Sequence, residues 1–330
     1  MDIIAEVGQA HEGSLGMALS YIDALAGTGV DAIKFQVHIA EAESSIYEPF
    51  RVKFSLQDKS RFDYWKRMEF TAEEWRKLKS RCEDKGVEFM ASPFSNAAVN
   101  LLEQLGVKRY KVGSGEVNNF LLLEKIARTG KPVILSSGMS SFQELDDTVR
   151  FLKERNTDFS ILQCTTSYPT EPTNYGLNVI QELKQRYKVP IGYSDHSAKP
   201  ETCIAATALG AEILEFHTVF SRQSFGPDAS SSLEINEIKE LVKAVRNISE
   251  GLQNPVDKND NSKFMELKGI FEKSLAVNKD LTAGHVIKFE DLEAKKPSNM
   301  GIQAKDFNKI IGKSLAADIK KWSFLKTEHF

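Results

Sequence analysis

Cysteine is scarce in this 330-residue chain, with 3 in all. Cys82, Cys164 and Cys203 are odd in number and show no metal-ligand spacing. That excludes a disulfide scaffold and a cysteine-built zinc site, and it leads to an expectation of reduced thiols in a cytoplasmic protein. Charge of one sign is also missing. The 43 Lys and Arg against 46 Asp and Glu give a formal net charge of −3, so nothing global draws the chain to nucleic acid or an anionic membrane. Any anion site must be local. No apolar run reaches the length of a membrane-spanning helix, and the opening MDIIAEVG has neither the basic region nor the cleavage site of a signal peptide. Internal repeats and low-complexity tracts are absent as well.

What is present is a regular alternation. Eight short apolar runs, Ile3–Val7, Ala32–Val37, Glu88–Ala91, Arg109–Val112, Val133–Leu135, Phe159–Gln163, Ile191–Tyr193 and Ile213–Phe216, are separated by segments with helical spacing. Examples are Met17, Leu19, Tyr21, Ile22 and Leu25, and Ile238, Leu241, Val242, Val245 and Ile248. Eight strand–helix pairs predict an α/β fold, a closed (β/α)8 TIM barrel whose chemistry sits at the carboxyl ends of the strands. Residues 1–251 are read as the barrel, the polar stretch 252–266 as a linker, and 267–330 as a small β-rich module that docks on the barrel or on a second subunit. One connection, His38–Phe70, is too long for an ordinary loop. Its RFDYWKRMEF mixes aromatics with Arg61, Lys66 and Arg67. A nucleic-acid face is one reading, but no larger basic surface supports it, and a flap or interface packed by its own aromatics is preferred.

The residues at the strand ends carry the chemistry. Glu6 lies inside an apolar run, where an acid is costly to bury unless it is paired, so it is either a site residue or a structural ion pair. His11, in the loop beyond, stands open between the same two readings. Lys34 and Gln36 come from the second run, and Lys111 from the fourth, followed by Gly113-Ser114-Gly115-Glu116. A single inward lysine is usually salt-bridged. Two of them, with Ser92, Ser114, Ser136, Ser137, Thr165 and Ser194 at other strand ends, predict strong local positive charge and a phosphate or carboxylate ligand. Gly138, after Ser136-Ser137, lets backbone N–H groups approach such an anion. His196 and His217 end adjacent strands in SDHS and EFHT. Either one alone is an ordinary polar residue; together they predict an open, catalytic divalent-metal site, with Asp195 or Glu215 orienting the imidazoles. Asp228 is a further polar end.

The runs AEVG, HEGS, IKFQVH, ASPFS, YKVGSGE, ILSSGM, CTTSYPT, IGYSDHS, EFHT and GPD together resemble the sialic acid synthase family, whose members make nine-carbon (nonulosonic) 2-keto acids. The resemblance spans essentially the whole chain, because the tail from about Lys268 is similar to the antifreeze-like (SAF) domain that ends those enzymes. It implies condensation of phosphoenolpyruvate with the aldehyde of an N-acylated hexosamine, N-acetylmannosamine or a modified relative, with release of phosphate by C–O cleavage. It further implies that Lys34, Ser92, Lys111, Ser114, Ser136 and Ser194 hold phosphoenolpyruvate, and that His196 and His217 bind Mn²⁺ or Mg²⁺. Gln36, Glu116, Tyr168 and Asp228 would grip the sugar, Glu6 would move a proton or orient water, and the protein would be a domain-swapped homodimer. Three departures from the family pattern stand out: Ala10 replaces an Asn before His11, Thr166 replaces an Asn in the sixth loop, and Lys296-Pro297-Ser298 replaces Arg-Pro-Gly. Lys296, expected at the sugar's acyl group, lacks the planar fork of arginine. Two rival readings remain: a Schiff-base lyase using Lys34 or Lys111, and a non-enzymatic ice-binding or adhesion protein.

Overall fold

The computed structural model describes residues 1–52, 54–55 and 57–330. The chain divides into two compact units, Met1–Asn254 and Pro255–Phe330. In the first, eight parallel strands form a nearly closed barrel: β1 (Asp2–Gly8), β2 (Ala32–Val37), β3 (Glu88–Pro93), β4 (Tyr110–Val112), β5 (Val133–Ser136), β6 (Phe159–Cys164), β7 (Ile191–Asp195) and β8 (Ile213–Val219). Their order is β3-β2-β1-β8-β7-β6-β5-β4. The predicted barrel is therefore observed, with β8 closing against β1.

Alternation along each strand sorts side chains between two environments. Ile3, Ala5, Val7, Ile33 and Phe35 join the large core beneath the helices. Their sequence neighbours Ile4, Ala32, Met90, Ile134, Leu162 and Ile213 form a separate apolar layer inside the barrel. Two residues further along the same strands come Glu6, Lys34, Ser92, Ser136, Cys164 and Glu215, so the next layer is polar. The helices start where hydroxyls can cap them. Ser14 accepts from Met17 N, and Thr71 and Ser141 form capping boxes with Glu74 and Glu144. The first helix, Leu15–Ala26, buries Ala18, Tyr21, Ile22 and Leu25 but turns Met17 to solvent, because Met17 lies off the stripe that those residues define.

Two features lie outside the regular alternation. Between β2 and β3, the helices Ala40–Glu43 and Arg61–Met68 fold the long connection back on itself, burying Ala40, Tyr64, Trp65 and Met68 against Phe50, Phe54 and Phe62. This is the expected flap packed by its own aromatics. After β8, the two-residue strand β9 (Leu233–Glu234) runs parallel to Thr218-Val219 and leads into the last barrel helix, Ile235–Gln253.

In the second unit, a helix, Met265–Phe271, precedes the antiparallel strands β10 (Ser274–Val277) and β11 (Leu292–Lys295). A small core of Leu275, Val277, Leu281, Ile287, Ile310, Leu315, Ile319 and Leu325 holds it together. Lys296 follows β11 with its ammonium 4.9 Å from the Phe271 ring. Among the described residues, no helix is long and apolar enough to cross a membrane.

Candidate active site

Parallel register brings the charged residues together. Glu6 pairs in register with Lys34 on one side and His217 on the other, Gln36 with Ser92, and Ser194 with Glu215. Paired positions on neighbouring strands lie about 4.8 Å apart, so these side chains meet. After Glu6 the register of β1 slips, and Gly8 takes a positive φ of 53° that other residues rarely adopt.

The floor of the resulting cavity is a buried ionic layer. Lys34 Nζ donates to Glu6 Oε1 at 2.6 Å and Ser92 Oγ at 3.3 Å, and lies 3.6 Å from Glu215 Oε1. Lys111 Nζ donates to Ser136 Oγ at 2.7 Å and lies 3.3 Å from the same Glu215 oxygen, which also accepts from Ser194 Oγ at 3.2 Å. Burial pushes the Lys34 ammonium toward neutrality, but Glu215 and Glu6 outweigh it and hold its pKa above the ordinary value. Burial likewise works against the Glu6 carboxylate, and Lys34, His217 and Lys111 reverse that and hold its pKa below the ordinary range. Both groups are charged at neutral pH. Lys34 is thus in the wrong state for a Schiff-base nucleophile, which needs a free amine.

The floor also corrects an expectation. The two lysines do not form a bare positive patch, because Glu6 and Glu215 balance them. Glu215 is the residue that sequence reasoning misplaced. It does not orient an imidazole; it sits between the lysines with Oε2 buried and without a hydrogen-bond partner among the described residues. The signal was available, since Glu215 interrupts an apolar run as Glu6 does.

Around the floor, the cavity encloses about 470 Å³ and is lined by Glu6, Lys34, Gln36, Ser92, Lys111, Ser114, Glu116, Ser136, Tyr168, Ser194, His196, His217 and Asp228. The barrel residues expected to bind phosphoenolpyruvate, sugar or metal all line it. Ser114 Oγ accepts from Gly138 N at 3.1 Å, and a methyl group on Gly138 would stand 2.5 Å from that oxygen, so only glycine allows this approach. Gln36 Nε2 donates to Glu6 Oε1 at 2.8 Å. Glu116 accepts from Asn119 Nδ2 at 2.6 Å, and burial raises its carboxyl pKa. Ser137 and Thr165 do not take part. Ser137 donates to Leu162 O and Thr165 to Asn174 O, because each neighbours an inward residue and so faces away from the cavity.

His196 and His217 stand side by side, ring centroids 5.3 Å apart, and Tyr168 packs on His196 at 4.2 Å. His196 Nδ1 lies 2.9 Å from Thr165 O, so that nitrogen donates and Nε2 is left for the cavity. His217 Nε2 lies 3.3 Å from Glu6 Oε2. Burial lowers the His196 pKa, but Cys164, Thr165 and Glu6 bring it up to about 9. Asp195 does not orient either ring. It accepts from Ser197 N and Oγ and from Thr202 Oγ1 at 2.8 to 3.1 Å, at the start of the next helix. His11 is also outside the cavity, packed on Phe70 at 4.7 Å and accepting from Gly13 N at 3.0 Å. Among the described residues, no group of three or more His, Cys, Asp or Glu side chains is arranged around a metal position. The donors that would hold a divalent ion are the two imidazoles, His196 once its proton is displaced, with the acid Glu6 beside them.

The outer wall was not read from the sequence. It comes from the 38–70 segment and the loop after β3: His38, Glu43, Glu48, Arg51, Arg61, Tyr64, Trp65 and Phe94. Arg51 reaches Asp228 at 2.8 Å and lies 4.2 Å over the Tyr168 ring.

A sequence model described as the NeuB family matches residues 21–257. The chain belongs to the NeuB family. The SAF domain model matches residues 272–330. Family relatives include the N,N'-diacetyllegionaminic acid synthase of Campylobacter jejuni, 32% identical over 97% of each chain. The human N-acetylneuraminate-9-phosphate synthase is 33% identical over 97% of this chain and 89% of its own. The crystal structure of an N-acetylneuraminic acid synthetase from Leptospira borgpetersenii, in complex with citrate, superposes with a TM-score of 0.72 at 35% identity, covering 81% of this chain and 90% of that one. In this NeuB family member, the layer of Glu6, Lys34, Lys111 and Glu215 forms the buried floor of the barrel's cavity.

Proposed function

We propose that the barrel condenses phosphoenolpyruvate with the open-chain aldehyde of an N-acylated hexosamine, N-acetylmannosamine or a modified relative, to give a nonulosonic acid and inorganic phosphate. One observation carries this reading: Lys34, Lys111, Ser92, Ser136 and Ser194 converge on one buried floor beside the paired imidazoles of His196 and His217. Ammonium and hydroxyl donors of this kind suit the phosphate and carboxylate of phosphoenolpyruvate, with Ser114 and the Gly138 N–H at the rim. Family membership and the named acid synthases among the relatives support the reaction class.

Carbon 3 of the enolpyruvate attacks the aldehyde carbon, water adds at carbon 2, and phosphate leaves as the C2–O bond breaks. Glu6, ionised beside Lys34, is an acceptor and not a donor, so its role is to orient the attacking water and take its proton. Lys111 and Lys34 stabilise charge on the departing phosphate. Gln36, Glu116, Tyr168 and Asp228 hold the sugar hydroxyls. His196 and His217 would hold Mn²⁺ or Mg²⁺, which when bound supplies Lewis-acid polarisation of the aldehyde oxygen. A homodimer in which the second unit brings Lys296 to the acyl end of the sugar belongs to the same proposal and rests on the family resemblance, as does a cytoplasmic setting.

The test is phosphate release from phosphoenolpyruvate across a panel of 2-acetamido and 2,4-diacetamido hexoses. Release with at least one sugar, lost with EDTA and restored by Mn²⁺, is the expected result. No release with any sugar, with metal supplied, overturns the reading.

A further inference from the structure

Two polar side chains of the outer wall, His38 and Glu43, have no part in the proposed reaction, and they extend a line of contacts that begins at Glu6 and Gln36. His38 directly follows β2 and is 5% exposed. Its ring lies flat between Trp65, with centroids 3.9 Å apart and planes at 19°, and Phe94, at 4.6 Å and 12°. The sandwich leaves the imidazole only rotation within its own plane, and two contacts fix that rotation. Nδ1 lies 2.6 Å from Glu43 Oε1, and Nε2 lies 3.0 Å from Gln36 Oε1.

The hydrogen positions follow from the network. Gln36 Nε2 donates to the Glu6 carboxylate at 2.8 Å, so the amide oxygen of Gln36 is the atom that faces His38. Gln9 Nε2 donates to the same oxygen at 2.5 Å. Both ring nitrogens of His38 therefore face acceptor oxygens. Gln9 Nε2, a second donor to Gln36, also lies 3.3 Å from His38 Nε2. Glu43 supplies the opposite charge and is itself tied down, its Oε2 accepting from Ile39 N at 3.3 Å.

We propose that His38, held by Glu43, is a positioning residue that locks the Gln36 amide and, through it, Glu6. A glutamine amide is nearly symmetric in shape, so without the His38 and Gln9 donors it could turn its oxygen toward Glu6, setting two acceptors against each other and leaving the carboxylate without one of its donors. The line Glu43–His38–Gln36–Glu6 thus carries the position of the flap helix Ala40–Glu43 to the sugar end of the floor. Lys111, Ser136 and Ser194 make their own hydrogen bonds, Lys111 to Ser136 and Ser194 to Glu215, and none to His38, Glu43 or Gln36 among the described residues. The claim rests on the functional reading above, which assigns Gln36 to the sugar hydroxyls and Glu6 to the attacking water.

The experiment measures phosphate release with each substrate varied in turn. His38→Ala is expected to raise KM for the acceptor sugar about tenfold and to leave KM for phosphoenolpyruvate within about twofold, the size of one lost charge-assisted hydrogen bond. Glu43→Gln, which preserves shape and carries the test if His38→Ala does not fold, moves acceptor KM in the same direction by less. Added imidazole restores acceptor KM in His38→Ala but not in Gln36→Ala, and His38→Gln, which keeps a donor near Nε2, stays close to wild type. Equal change in both KM values, or no response to imidazole in a folded His38→Ala protein, overturns the proposal. If the wild type makes no phosphate with any sugar, the functional reading fails on its own, and urea unfolding of Gln36→Ala, His38→Ala and the double variant decides the coupling. Additive losses then sink it; a double variant less destabilised than the sum upholds it.

Discussion

The floor and the outer wall of the cavity bury polar groups in opposite ways. In the floor, charges are buried only in mutual contact: Lys34 with Glu6 and Glu215, and Lys111 with Glu215, all at 3% or 2% exposure. Behind the wall, His11 is buried at 2% with no acid against it, and burial, with His38 and Arg67 nearby, pushes its pKa down to about 3. Of the wall's own pairs, His38–Glu43 is buried as the floor pairs are, while Arg51–Asp228 and Arg61–Glu48 remain partly open to solvent. The difference is one of rigidity. A paired buried charge has one place to be, since leaving its partner means desolvation without compensation, whereas a half-exposed pair can exchange its partner for water or a sugar hydroxyl at little cost. Rigid strands set the reacting groups, and a segment of helices and loops sets what is admitted.

Substitutions that break this contrast rank by how deep they cut. Lys111→Met removes a floor ammonium, and a fall in the rate of phosphate release of about 10²–10³-fold is expected in steady-state assays, comparable to the loss of one preorganised donor. Glu215→Gln leaves two buried ammoniums sharing Glu6 alone. Urea unfolding should show a loss of about 3–5 kcal/mol, and a loss no larger than that of a surface glutamate would show that the floor charges are not mutually dependent. His11 tests the neutral burial behind the wall. The unfolded chain takes up a proton on this histidine below about pH 6.5, while the folded protein does not until about pH 3. Stability therefore falls as pH falls through that window, by about 1.4 kcal/mol per unit, and between pH 7 and 5 the wild type should lose about 2 kcal/mol more than His11→Leu in parallel denaturation curves. Arg51→Ala cuts least. Its ion pair is exposed, so acceptor KM should change by no more than about fivefold and KM for phosphoenolpyruvate not at all.

The same contrast governs what could be read from the sequence. The floor was legible because strands alternate: an acid or lysine interrupting an apolar run, as at Glu6, Lys34 and Lys111, has its side fixed by its neighbours. Where that rule was not applied strictly, the reading erred. Asp195, which follows inward Ser194 on β7, and Ser137 and Thr165, which directly follow the last inward residues of β5 and β6, each face away. Glu215 was noticed but given the wrong partner, because only the curved barrel, which brings Lys34 of β2 and Lys111 of β4 to one oxygen of β8, shows that it lies between two lysines. The wall was hardly legible at all. His38, Arg51 and Trp65 sit in a segment without periodicity, and nothing local in the chain says that it folds back over the strand ends. Its aromatic content announced a packed flap without saying which residues would face the cavity.

The short ladder between β8 and β9 has a consequence for how this protein can vary. Thr218-Val219 and Leu233-Glu234 clasp the two ends of the loop that carries Asp228, and the clasp is made of backbone hydrogen bonds, indifferent to side-chain identity. Lengthening a loop already closed at its base costs little, and a change between the clasped ends acts through the side-chain contacts it makes beyond the ladder, Arg51–Asp228 and Tyr21–Phe220 among them. The acceptor end of the cavity is in this sense a replaceable fitting, mounted on a floor that does not register the change.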